Sequence, residues 1–161
     1  MTTFTIVHVV LSLVGIGSGF IVVFGLVAAR RLHGLTALFL ATSGATSLTG
    51  FLFPVHQFLP SHVIGMVSLV VLAIAILARY AFHFTGAWRW IYVVSAVIGL
   101  YLNVFVLIAQ AFRRVPTLRA VAPTQSEPPF VVAQLLVMAL FAVLGIFAVK
   151  RFHGPAARGV F

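Results

Sequence analysis

Imidazoles at matching depths in a row of apolar segments are the side chains of this chain best suited to chemistry. Histidine ligates haem iron and divalent metals and titrates near neutral pH. His8 lies about one turn inside the first apolar segment and His62 opens the third. Gln110 and Gln134 reach the same depth near the ends of the fourth and fifth. His56 lies in the adjoining turn, and Glu127, the one acidic residue of the chain, lies in the loop above. A second set, His33, His83 and His153, falls at the opposite ends of the segments. Two histidine layers across a helical bundle are a frame for b-type haem, with His8 and His62 as the ligands of the first layer. The competing reading is that histidines at membrane interfaces are solvated or hydrogen-bonded to helix ends.

Other chemistries are narrowed by what is missing. The 161 residues contain no cysteine, which removes disulfides, thiolate catalysis, iron-sulfur clusters and cysteine-ligated zinc. The apolar segments hold no Asp or Glu, so no carboxylate is placed to orient a hydrolytic base or relay a proton across a membrane. There is no HExxH or His-x-His pattern to strengthen a metal site.

The elements that must position these residues follow from composition and hydrophobic run length. The chain is 63% hydrophobic and 7% charged, where soluble domains carry about a quarter charged residues. A bilayer core needs roughly 20 apolar residues in helix. Five runs are assigned as transmembrane helices, at about 4–28, 35–53, 62–80, 88–112 and 130–149, in one all-α domain covering 1–161. The first run lacks a basic leader and a cleavage context, so it is expected to be retained.

The run 88–112 carries Asn103 at mid-span, and Arg89, Tyr92, Ser95, Gly99, Asn103, Gln110 and Arg113 project onto one face. A carboxamide in hydrocarbon needs partners, so Asn103, with Ser95 and Ser47, is expected to form an interhelical polar core. Gly15 and Gly19 form a small-xxx-small pair for close helix approach. The hydroxyl-rich run 41–50 belongs inside the bundle, its hydroxyls returning to backbone carbonyls. In the last run Gln134, Met138, Ala142 and Gly145 align. Four prolines between Arg113 and Pro129 (Pro116, Pro123, Pro128 and Pro129) are expected to forbid regular helix there.

A formal charge of +9 suggests nucleic acid only in a soluble protein. Here the basic residues stand where apolar runs end and read as topology and headgroup anchors. Seven of the ten lie on the side of the C-terminus, which puts the N-terminus outside and the C-terminus in the cytoplasm.

The stretches Tyr101-Leu-Asn-Val-Phe-Val-Leu-Ile-Ala-Gln-Ala-Phe112 and Ala122-Pro-Thr-Gln-Ser-Glu-Pro-Pro-Phe130 resemble a family of small bacterial polytopic inner-membrane proteins with no assigned activity. The resemblance implies a multi-pass protein of the bacterial plasma membrane and carries no catalytic residue. The sequence is therefore read as a non-catalytic membrane component. Its partners are the lipid bilayer and other membrane helices, in a homo-oligomer or a larger complex, and not nucleic acid. The alternative is a b-type haem or quinone-interacting redox subunit.

Overall fold

The computed structural model describes residues 2–54 and 60–153. Six α-helices follow one another: α1 (Thr3–Val27), α2 (His33–Gly50), α3 (Pro60–Ile76), α4 (Trp88–Arg114), α5 (Pro116–Val121) and α6 (Pro128–Arg151). One π-helical turn, Leu77–Ala81, continues α3. The structure is 83% helix, with no strand among the described residues.

Among the described residues, four helices are long and apolar enough to cross a membrane: Thr3–Val27, Pro60–Ala81, Trp88–Arg114 and Pro128–Arg151. This corrects the expectation of five. Helix α2 exists, and its 18 residues fall within the roughly 17–25 that a span needs. What it lacks is apolarity, which its Thr, Ser and Gly content dilutes. A second correction concerns the proline-rich connection, where α5 forms because Pro116 stands at the first helical position. There its missing N–H is no loss and its fixed φ is already helical.

Successive long helices run antiparallel. Along α1 and α2, His8 meets Thr49, Gly15 faces Thr42 and Ser43, and Gly19 faces Phe39. Along α2 and α3, Phe51 stacks on His62 while His33 reaches Arg79. Helix α4 is central: Leu100 packs on Gly19 of α1, Leu72 of α3 lies on Gly99, and Tyr101 meets Phe141 of α6. Its buried surface accordingly extends beyond the polar stripe to Val93, Ala96, Val97, Leu100 and Val104.

Glycine sets the closest approach. A Cβ on Gly19 would lie 2.6 Å from Leu100 Cδ1 and 2.9 Å from the Phe39 ring, so three helices meet where only hydrogen fits. The hydroxyls of this region answer their own backbone, Ser18 to Val14, Thr42 to Leu38 and Thr49 to Ala45, each at 2.7 Å. Thr42 and Thr49 of α2 thus serve packing, because their oxygens are satisfied within the helix.

Helix α6 is attached differently. Its buried residues are Gln134, Phe141 and Ala148, and 11% of its span is buried against 44% for α1 and α4. Met138 and Ala142, aligned with Gln134 by sequence, are exposed, because Phe141 takes the inward position between Phe20 and Tyr101.

Candidate functional site

At the end of the bundle where α1 begins, His8 and His62 flank the last turn of α2. His8 Nδ1 lies 2.8 Å from Thr49 Oγ1. The Thr49 proton is directed to the Ala45 carbonyl, 2.7 Å away, so the hydroxyl accepts and His8 carries its proton on Nδ1. The His8 ring also stands edge-on to Phe53. His62 is buried and stacks on Phe51 at 5.6 Å between centroids. His56 lies outside the described residues.

The other members of this predicted group have local partners. Gln134 Nε2 donates to the Phe105 carbonyl at 3.1 Å, and its Oε1 is buried with no hydrogen-bond partner among the described residues. Gln110 Oε1 accepts from Arg114 Nε at 3.2 Å. Glu127 turns back on its own loop and accepts from the Thr124 hydroxyl at 2.8 Å and from the Thr124 and Ser126 amides at 3.1 Å. Desolvation raises the Glu127 pKa, but hydrogen bonds from the Thr124 hydroxyl and from backbone amides outweigh it and hold the pKa below 4.5. The contact that ties this loop to the bundle is Gln125, whose Nε2 donates to the Ala109 carbonyl of α4 at 2.6 Å.

Deeper in, Asn103 Nδ2 donates to Ser43 Oγ at 2.8 Å, joining α4 to α2. Ser95 is buried and Ser47 half-buried. Thr46, the neighbour of Ser47, has a buried hydroxyl oxygen with no partner among the described residues.

The opposite end holds a charged site that sequence reasoning passed over as headgroup anchoring. The π turn closes α3 and turns Arg79 inward, to 7% exposure. His83 and Phe84 then take left-handed backbone angles, φ +49 and +61. That conformation costs non-glycine residues about 1–2 kcal/mol each, and it returns the Phe84 ring to the core, where it is buried. Arg79 is surrounded by rings: Tyr80 at 5.4 Å, Phe84 at 5.7 Å and Tyr92 at 5.9 Å from its guanidinium carbon. Arg31 shares this shell, over Phe84 at 5.4 Å and Phe152 at 5.7 Å. Cation–π attraction of this kind supplies about 0.5–2 kcal/mol per pair, more where water is excluded.

No family model, curated protein or solved structure matches the chain. The argument therefore rests on geometry. Arg79 Nη2 lies 2.9 Å from His33 Nδ1, and since guanidinium only donates, His33 Nδ1 is the acceptor. Arg89 clamps the end of α6 through the Val149 carbonyl at 3.3 Å and the Phe152 carbonyl. The turn after α1 delivers Arg30 and Arg31: Ala29 adopts φ +56, and the Arg30 amide reaches back to the Gly25 carbonyl at 2.8 Å. Gly25 leaves room for this return, because a Cβ there would lie 2.8 Å from Leu32 Cδ1. Arg30, Arg31, Thr36, Arg79 and Tyr92 thereby line one narrow cleft. No sequence motif signals it, since its members come from four separate elements.

Between α4 and α6 runs an apolar groove of about 490 Å³, floored by Val97 and Gly145 and ending at Lys150. Among the described residues, no group of three or more His, Asp or Glu is placed to hold a metal ion.

Proposed function

We propose that this is a small non-catalytic component of a bacterial plasma membrane that works by packing against other membrane helices through α6. The observation that carries the reading is the burial contrast: 11% of the α6 span is covered by its own chain, against 44% for α1 and α4. Leu136, Leu140, Val143 and Phe147 form a continuous exposed strip on α6. Association there draws on van der Waals packing rather than on expulsion of water.

The basic residues support an orientation as well. Arg30, Arg31, Arg79, Arg89, Lys150 and Arg151 gather at the end where α6 finishes, and Arg113, Arg114 and Arg119 at the end where it begins. The first end is cytoplasmic in this reading. The haem or quinone alternative depends on His8 and His62, and the engagement of His8 with Thr49 and the stacking of His62 on Phe51 lend it no support.

A chain without cysteine makes the test direct. Leu136→Cys and Val143→Cys are each expected to form disulfide-linked dimers or cross-links to a neighbouring membrane protein in native membranes, while Val70→Cys on exposed α3 stays monomeric. Equal cross-linking from α3 and α6, or none from α6, removes the reading. A membrane-impermeant thiol reagent applied to intact cells is expected to label Thr124→Cys and not His153→Cys, which separates the orientation from the packing claim.

A further inference from the structure

Among the described residues, no carboxylate lines the cleft of Arg30, Arg31 and Arg79 to balance its positive charge. Glu127, the one acidic residue of the chain, precedes α6 and so lies at the other end of the bundle. Moving a guanidinium out of water costs several kcal/mol unless it is paired, yet Arg79 is 7% exposed. Arg31 is held close by, because both guanidiniums sit over the same Phe84 ring. His33 takes one donor of Arg79 and the Tyr92 hydroxyl another, out of the five that a guanidinium offers. The lining adds hydroxyls from Thr36 and Tyr92 and no carboxylate. Such a set of donors matches an oxyanion with several acceptor oxygens.

From this we infer that the cleft is a binding site for a phosphate group. Guanidinium forks meet phosphate oxygens two at a time, and the planar, weakly hydrated cation is the side chain suited to doing so away from bulk water. The aromatic shell holds Arg79 in position before the anion arrives, which lowers the ordering cost of binding. Access is from the side of Arg30 and Arg31, both exposed. In this structure the cleft is too tight for a water-sized group, so these two long side chains move outward to admit the anion and then close over it. Two sources offer the chemistry, the phosphodiester of an anionic phospholipid in the adjacent leaflet and a soluble phosphate monoester.

The full-length protein in detergent micelles tests the site with two probes. Dissociation constants are measured for short-chain phosphatidylglycerol, with phosphatidylcholine of the same chain length as reference, and for glycerol phosphate. The expected result is at least tenfold preference for phosphatidylglycerol over phosphatidylcholine, or saturable binding of glycerol phosphate, reduced at least tenfold by Arg31→Gln. Arg31 is exposed, so this variant is expected to fold. Arg79→Gln should abolish the preference and Arg119→Gln, at the other end of the bundle, should leave it intact. Phosphatidylglycerol binding without glycerol phosphate binding identifies a lipid site, and the reverse a soluble ligand. Equal binding by the wild type and Arg31→Gln, or an equal loss in Arg119→Gln, overturns the inference. So does a wild type that shows neither the lipid preference nor saturable glycerol phosphate binding.

Discussion

At the end of the bundle where α1 begins, polar side chains are mostly neutral and each is answered by one nearby group: His8 by Thr49, Gln134 by the Phe105 carbonyl, Gln125 by the Ala109 carbonyl. At the end where α6 finishes, a buried guanidinium is surrounded by Tyr80, Phe84 and Tyr92, with Arg31 and Phe152 behind them. The first arrangement is a set of pairs, so each part can be lost with a local cost. The second is a many-body shell drawn from the α1–α2 turn, the π turn, α4 and the residue after α6. Removing the Phe84 ring there uncovers two cations at once. The contrast suggests that stability is concentrated at the cationic end, although its charge is the less favourable one to bury.

The largest expected effect tests that contrast. Tyr92 is 1% exposed and meets Phe84, Phe152 and the Arg79 guanidinium. Tyr92→Ala should cost roughly 3–5 kcal/mol, the range for truncating a buried aromatic. Unfolding in mixed micelles by increasing denaturing detergent measures it. A loss below about 1 kcal/mol would mean that the shell is not where stability resides.

Asn103→Leu comes next. The amide donates to Ser43 between α4 and α2, so its removal is expected to cost about 1–2 kcal/mol, near the upper end for hydrogen bonds between membrane helices. A double-mutant cycle of His8→Ala and Thr49→Val should give a smaller coupling, about 0.6 kcal/mol. Coupling above 2 kcal/mol would show that the neutral end is not made of weak pairs.

How far these features could be read from sequence depends on the range of the interactions that make them. Four helices lie within a few residues of expectation, because each is an apolar run closed by local signals: Arg30 and Arg31 after α1, Pro60 at the start of α3, Arg113 and Arg114 at the end of α4 and Pro128 at the start of α6. Helix α2 also forms within a few residues of expectation, but the hydroxyl content that reads as burial leaves it too polar to count among the spans. Depth matching put His8 and His62 at one level, yet depth says nothing about rotation about an axis, and nothing in the alignment of Gln134, Met138, Ala142 and Gly145 signalled that Phe141 faces inward. The Arg79 shell had no local signature. Its inward turn depends on a π turn and on two left-handed residues, His83 and Phe84, which ordinarily carry a steric penalty and persist here because tertiary contacts hold them.

Gln134→Leu is expected to be nearly neutral, within about 0.5 kcal/mol in either direction. It gives up the bond to Phe105 but also removes a buried oxygen with no partner among the described residues, and the two terms oppose each other. A loss above 1.5 kcal/mol, measured by the same detergent titration, would show that Oε1 has a partner such as bound water. The neutral end would then be better satisfied than its protein contacts indicate.

The smallest expected effect concerns the one anionic group of the neutral end. Glu127 is stabilised as carboxylate by the Thr124 hydroxyl and by backbone amides, against a desolvation effect of opposite sign. Its folded pKa is thereby depressed below the ordinary 4.5, so the unfolded state binds the proton more readily. The contribution to loop stability is fully present above pH 4.5 and is lost as pH falls through the lower, folded pKa. Carboxyl chemical shifts are expected to give Glu127 a midpoint below 4.5. Thr124 and Ser126 amide protection should hold from pH 5 to 8 and decline only in acid. Because Glu127 is solvated and its partners lie within three residues, the transition should stay within the loop, leaving the Gln125–Ala109 contact and the detergent unfolding midpoint unchanged. A midpoint above 4.5, or acid loss of structure spreading into α4 and α6, would mean that Glu127 faces a charge or a buried environment beyond its own turn. That result would make this end, too, a place where a single ionised group organises several helices.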